Sequence, residues 1–257
     1  MDKERFKKLT NNKNFIPGIY NYCDRWCEKC AFTSQCSNYA VTQEIFDEME
    51  DINDNENLFK ALSDIFRITM ELIEETAEKF DIDLSEIKAS LPETPEEEPE
   101  EEPPVCIRLA RKYAENVSLW FEKHQSDLQA LEDEFNRLLE LGVKKEQVHQ
   151  QAGELKDFID VIRWYQYFIE VKLHRAMPES NPLGLSFDGM EDDMNGSAKV
   201  ALIAIDRSIG AWGKFLTYFP EAEDDIFDNL VLLNQIRKLA EEKFPDARKF
   251  IRPGLDE

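Results

Sequence analysis

Near the middle of the chain the segment Pro92-Glu-Thr-Pro-Glu-Glu-Glu-Pro-Glu-Glu-Glu-Pro-Pro104 suits neither a helix interior nor a sheet. Its prolines lack a backbone N–H, its seven glutamates repel one another, and it has no apolar side chain beyond proline to offer a core. The composition predicts an extended linker over 92–104, which splits the 257-residue chain into parts that must each bury their own apolar surface. A docking segment for a basic partner is the other meaning of such a run, and the spacer is the commoner one.

On both sides of that break the apolar residues recur at helical steps. Phe59, Leu62, Phe66, Met70, Ile73, Ala77 and Phe80 predict a long helix from about Asn55 to Phe80. A shorter helix is expected from about Asn38, with Ile45, Phe46 and Met49 on its inner face. Beyond the linker, Tyr113, Val117, Trp120, Leu128, Leu131, Phe135 and Leu138 predict one long helix closed by Gly142. The next runs from about Lys144 to Ala176, followed by an irregular crossover from Pro178 to Asn195. Asn195-Gly-Ser197 is read as the cap of a helix carrying Leu202, Ile205, Ile209, Trp212 and Leu216, and a last helix spans about Glu221 to Phe244. No strand and no repeat is legible. The expected fold class is all-α, a multi-helix bundle with an N-terminal four-cysteine metal-binding loop. Its parts are an arm and metal loop (1–37), a helical hairpin (38–91), the linker (92–104) and a four-helix bundle (105–257).

The loop rests on Cys23, Cys27, Cys30 and Cys36, four cysteines within fourteen residues, with Cys106 the single other cysteine. So tight a group suits one closed four-thiolate centre, either Zn2+ or a [4Fe-4S] cluster. The first three match the C-x3-C-x2-C spacing of radical S-adenosylmethionine enzymes. That reading is rejected, because a fourth cysteine follows at once and nothing downstream alternates strand with helix. Zinc sites usually join two C-x2-C knuckles and this stretch has one, whereas compact runs are commoner in iron–sulfur ligation. The aromatics Tyr20, Tyr22, Trp26, Phe32 and Tyr39 would shelter either centre. A helix starting directly after Cys36 would turn its positive dipole end toward the thiolates.

A second candidate site lies on the helix expected up to Ala176. Two apolar faces flank a narrow polar stripe of Arg163, Tyr167, Glu170 and His174, at steps of four, three and four. A helix apolar on two faces reads as a buried middle member of a bundle, so the stripe is expected in the interior. It would serve either as a small anion- or proton-handling site or as a network fixing helix register, with Asp206 answering Arg163. Paired Glu-x-x-His units for a di-iron centre are missing: Glu146-Gln-Val-His149 has that spacing alone, and the chain has three histidines. No glycine-rich phosphate loop and no nucleophile–base pair can be assembled, and no catalytic residue is assigned.

Fifty-four acidic residues against thirty-one basic ones give a formal charge of −23, which repels nucleic acid and anionic lipid. The longest apolar stretch, Val200 to Ile205, is far too short to cross a membrane, and the N-terminal Met-Asp-Lys-Glu-Arg-Phe-Lys-Lys has no apolar run behind its charges. A reducing, cytoplasmic setting follows, with cysteines available as ligands rather than as disulfides. The function expected is a metal-binding interaction or accessory protein with protein partners. The alternative is an iron–sulfur electron-transfer protein using the Glu170/His174 site.

Overall fold

A computed structural model describes residues 2–48, 55–85, 102–178 and 190–256. Among them every regular element is a helix and no strand occurs. The helices are α1 (Lys3–Thr10), α2 (Ser37–Asp47), α3 (Asn55–Lys79), α4 (Val105–Lys123), α5 (Gln125–Glu140), α6 (Lys145–Ala176), α7 (Met190–Tyr218) and α8 (Glu223–Lys243), with short 3-10 turns between some of them. The chain divides into two compact units, Met1–Glu102 with Pro253–Glu257, and Pro103–Arg252. Most of the acidic segment read as a linker lies outside the described residues, as does most of the stretch read as a crossover.

In the larger unit α4, α6, α7 and α8 form a square: α6 packs on α4 and α7, and α8 packs on the same two. The centre is aromatic. Trp212, Tyr113, Tyr165 and Phe215 are fully buried, and Trp120 meets Trp212 edge-on at 5.3 Å and Phe215 at 5.2 Å. Such pairs add about 0.5–1.5 kcal/mol each beyond the burial of their area. The Trp212 indole N–H donates to the Tyr113 hydroxyl at 3.0 Å, so the buried polar ends satisfy each other. α5 lies outside the square, packed on α6 and α4. It ends at Gly142, whose φ of +80° lets Val143 N–H reach the Leu138 carbonyl in a left-handed helix stop.

Two sequence expectations change here. The single long helix up to Gly142 is two helices, broken at His124, which has φ −103° and ψ 20°. With no Gly or Pro at the break, the apolar periodicity carries straight across it. Local and remote contacts together hold the corner: the His124 ring lies 4.6 Å from the Trp120 ring, with Nδ1 2.7 Å from Asp127 and Nε2 3.2 Å from Asp225. Asn195-Gly-Ser197 does not cap a helix either, because α7 is already helical at Met190 and Gly196 and Ser197 are buried within it.

The smaller unit is built differently. Asp2 caps α1 by accepting the Arg5 amide at 2.8 Å, and Arg5 pairs with Glu44 and Glu48 of α2. Lys3 and Lys7 of α1 pair with Glu75 of α3. α3 stops in a Schellman turn, with Asp81 at φ +54° and Ile82 N–H bonding the Ala77 carbonyl at 2.9 Å. Among the described residues of this unit only Ile19, Ile68 and Ala77 are buried. The stretch between α1 and α2 contains no regular structure beyond two three-residue 3-10 turns, Cys27–Lys29 and Thr33–Gln35. It closes where the Ile16 amide meets the Gln35 carbonyl at 2.9 Å. The tail folds against it at Gly254, where an added Cβ would come within 2.7 Å of the Ile16 side chain.

Candidate metal centre

The four clustered cysteines all lie in this irregular stretch, each half-buried and each reduced. Backbone amides are turned toward the sulfurs. The Phe32 amide donates to Cys30 Sγ at 3.4 Å and the Tyr39 amide to Cys36 Sγ at 3.5 Å. The Arg25 amide bonds the Cys23 sulfur, from a residue held at φ +58°, where a non-glycine side chain is strained. Cys36 is itself the N-cap of α2, so the positive end of that helix faces a sulfur. Around the loop, Lys29 stands over the Trp26 ring at 4.8 Å and Arg25 at 6.0 Å from the Tyr20 centroid.

Burial pushes the Cys23 thiol up from its ordinary pKa, and the Arg25 amide pulls partly against it. Cys27 is also raised, first by burial and then by Cys23, Cys36 and Cys30. The four sulfurs therefore lie within electrostatic reach of one another. As placed, though, no group of three or more His, Cys, Asp or Glu side chains among the described residues is close enough to hold a metal ion. The donor set itself fits either group considered for it, because four thiolates fill a tetrahedral zinc or the corners of a cubane. The amide-to-sulfur bonds are the kind of outer contact that orients and stabilises thiolate ligands. Cys106 takes no part in this loop. It is buried in α4, within the bundle unit.

The polar stripe on α6 is not an interior site. Arg163, Tyr167 and His174 are exposed and Glu170 is half-buried. α6 occupies a corner of the square, where α4, α7 and α5 leave part of it open, and it buries most fully the arc centred on Ile162, Tyr165, Ile169, Leu173 and Ala176. The second apolar face is only partly covered, and Val171 is 60% exposed. Glu170 pairs with Arg111 of α4 at 2.9 Å, and the Tyr167 hydroxyl lies 3.3 Å from that of Ser118. Arg163 stacks 4.2 Å over the Phe121 ring at the edge of a groove of about 510 Å³ between α5 and α6. Asp206 does not answer Arg163. It accepts from Arg237 of α8 at 3.3 Å and from Arg248 at 2.9 Å, tying α7 to the chain that follows it.

The polar residues that α6 does bury are Gln166 and Lys172, on the flanks of its apolar arc. Gln166 donates to the Ala114 carbonyl at 2.7 Å and to Ser118 Oγ, stitching α6 to α4. The Lys172 ammonium lies 5.2 Å from the Phe168 centroid. Sequence reasoning passed over both, as it passed over the buried His124. A signal for His124 existed in Asp127, three residues on and within reach on a helix. Its second partner, Asp225, is remote in sequence.

No family model, no curated protein and no solved structure matches this chain. The fold itself defines the class, an all-α protein with a helical bundle and a separate thiol-bearing helical unit. No helix of the described residues is long and apolar enough to cross a membrane.

Proposed function

We propose that Cys23, Cys27, Cys30 and Cys36 close one four-thiolate centre, zinc or [4Fe-4S], that fixes the N-terminal unit of an interaction or accessory protein. The observation that carries the reading is the poverty of this unit's core. Ile19, Ile68 and Ala77 are its buried described residues, while a long irregular stretch between α1 and α2 must still be ordered. Ordering backbone costs about 1–2 kcal/mol per residue, which two isoleucines at about 1.5–3 kcal/mol each and one alanine methyl do not offset. Small units in this position are commonly completed by a structural metal, whose binding free energy becomes folding free energy. The sulfur-directed amides and the Cys36 cap support the same assignment.

Bound there, the metal would supply a local positive charge that turns thiols with raised pKa into thiolates and would tie the middle of the loop to its end at α2. Cys23 would hold it from the middle of the loop and Cys36 from the N-cap of α2. An electron-transfer role would rest on the cluster alone, because Glu170 is paired with Arg111 and His174 faces solvent.

The test is elemental analysis of full-length protein purified without oxygen. About one zinc per chain in colourless protein, or about four irons with sulfide and broad absorption near roughly 400 nm, supports the centre and names its metal. Metal-free protein whose loop amides in 11–36 nevertheless exchange as slowly as those of the bundle would remove the reason for proposing it.

A further inference from the structure

The smaller unit is not made of N-terminal residues alone. The chain that belongs to the bundle unit as far as Arg252 joins the smaller unit again from Pro253 onward. There it turns at once, over residues 253–255, and these three are half-buried. Gly254 sits at φ +68°, a left-handed conformation that glycine enters without steric cost. Its backbone also lies directly on Ile16: a Cβ added at Gly254 would come within 2.7 Å of the Ile16 Cγ2, 2.9 Å of its Cδ1 and 3.5 Å of its Cβ. Two properties of glycine are therefore used at one residue.

Ile16 is the residue at which the base of the cysteine loop closes. Its amide donates to the Gln35 carbonyl at 2.9 Å, and the residue after Gln35 is Cys36, the N-cap of α2. Its carbonyl accepts the amide of the buried Ile19 at 3.4 Å. One residue on, the Tyr20 carbonyl accepts the Cys23 thiol at 3.7 Å. Ile16 thus joins the arm that leads to Cys23 to the segment that ends in Cys36. Among the described residues of this unit Ile19, Ile68 and Ala77 alone are buried, so the cover that Gly254 gives Ile16 is a large share of what packs the loop.

We propose that segment 253–256 is a clasp on the base of the cysteine loop, and that its docking on Ile16 sets how tightly the four thiols take up metal. The clasp stands on geometry, while its effect on metal rests on the thiolate centre proposed above. The route is short: Gly254 bears on Ile16, Ile16 holds Gln35, and Gln35 is bonded to Cys36. By linkage, whatever frees the segment opens the loop and lowers metal affinity, and bound metal favours docking to the same degree.

Gly254→Ala in the full chain tests this with one methyl group, read by hydrogen exchange at the Ile16 amide and by chelator competition for the metal. Exchange at Ile16 should quicken by about tenfold or more, and metal affinity should fall by a similar factor. Gly142→Ala, also at positive φ but with nothing within 4 Å of the added Cβ, lies in the bundle unit and should change neither. Ile16→Ala separates collision from backbone strain, because it removes Cγ2 and Cδ1 and leaves the nearest atom at an ordinary 3.5 Å. In that background Gly254→Ala should cost at least about threefold less than in the wild-type chain, since strain persists and collision does not. Unchanged exchange at position 16 in Gly254→Ala, or an equal loss in both backgrounds, overturns the clasp. Faster exchange with unchanged affinity of a metal-binding protein overturns its control of the site. In protein that proves to bind no metal, faster exchange at position 16 sustains the clasp while the thiolate reading falls, so the two fail separately.

Discussion

Replacing Cys36 by serine separates two roles that one sulfur plays, because they predict opposite signs. Cys36 caps α2 by accepting the Tyr39 amide at 3.5 Å, a long and weak bond to sulfur. Serine is among the best N-cap residues, and its oxygen makes the stronger bond, so as a cap alone Cys36→Ser should be neutral or stabilising by up to about 1 kcal/mol. As one of four ligands the same sulfur contributes a share of a centre whose apparent binding free energy is about 10–16 kcal/mol, so its loss should cost about 3 kcal/mol or more. The two contributions differ in sign, and the larger decides the outcome.

Hydrogen exchange reads this directly. In the thiolate-centre reading, Cys36→Ser loses metal, and the α2 amides from Tyr39 onward become less protected by about a hundredfold or more, since each 1.4 kcal/mol is a factor of ten. Cys36→Ala should resemble it, having lost both cap and ligand. Cys106→Ser, in the buried wall of α4, should leave the α2 amides and the metal untouched. Protection of α2 equal to or greater than wild type in Cys36→Ser, with metal content unchanged, refutes the assignment of Cys36 as a ligand.

Two further outcomes follow from the titrating groups. Burial raises the pKa of Cys23 and Cys27, so both thiols hold their protons near neutrality and must release them to bind a cation. Metal affinity measured by chelator competition should therefore climb with pH toward about 9, and affinity independent of pH would show that these sulfurs are not ligands. In the bundle, burial pushes the Tyr113 hydroxyl up to about 12. Its contribution to stability is whole below about pH 10, where the unfolded tyrosine also keeps its proton, and falls by about 1.4 kcal/mol per unit from there to about 12. Urea titrations of wild type and Tyr113→Phe should diverge in slope over that window alone, and parallel curves would mean that Tyr113 ionises freely.

What the sequence made legible was local. The 3.6-residue periodicity located α2, α3, α6 and α8 because each carries its apolar residues on a face, and Gly142 marked a stop because a left-handed turn needs it. The break at His124 was illegible because one of the contacts that hold it, with Asp225, comes from a residue 101 positions away. The α6 stripe was misplaced for a related reason. An apolar face shows that a surface prefers cover, not that a neighbour supplies it, and α6 sits at a corner with its second face only partly covered. The same gap between preference and cover appears on α3, whose stripe marked a helix correctly and yet stands largely exposed. For the cysteines, spacing named a donor set, while the amides aimed at three of the sulfurs and the thin core around them are properties of the folded chain.

The two units thus depend on different physics. The bundle buries rings from α4, α6 and α7 against one another and satisfies Tyr113 with Trp212 and Gln166 with Ala114. The N-terminal unit holds α1 to α2 and α3 largely through solvent-screened ion pairs, Arg5 to Glu44 and Lys3 and Lys7 to Glu75, which contribute little to stability. Among its described residues it leaves two needs unmet, order for the cysteine loop and cover for the apolar face of α3. The proposed thiolate centre at the start of α2 would answer the first. The two needs meet at α2, which takes its first turn from Cys36 and lends Ile45 to the inner side of α3. The cavity of about 220 Å³ between α2 and α3 shows how loosely that last contact is packed. Disturbance of the thiols should therefore reach α2 first and be damped before α3.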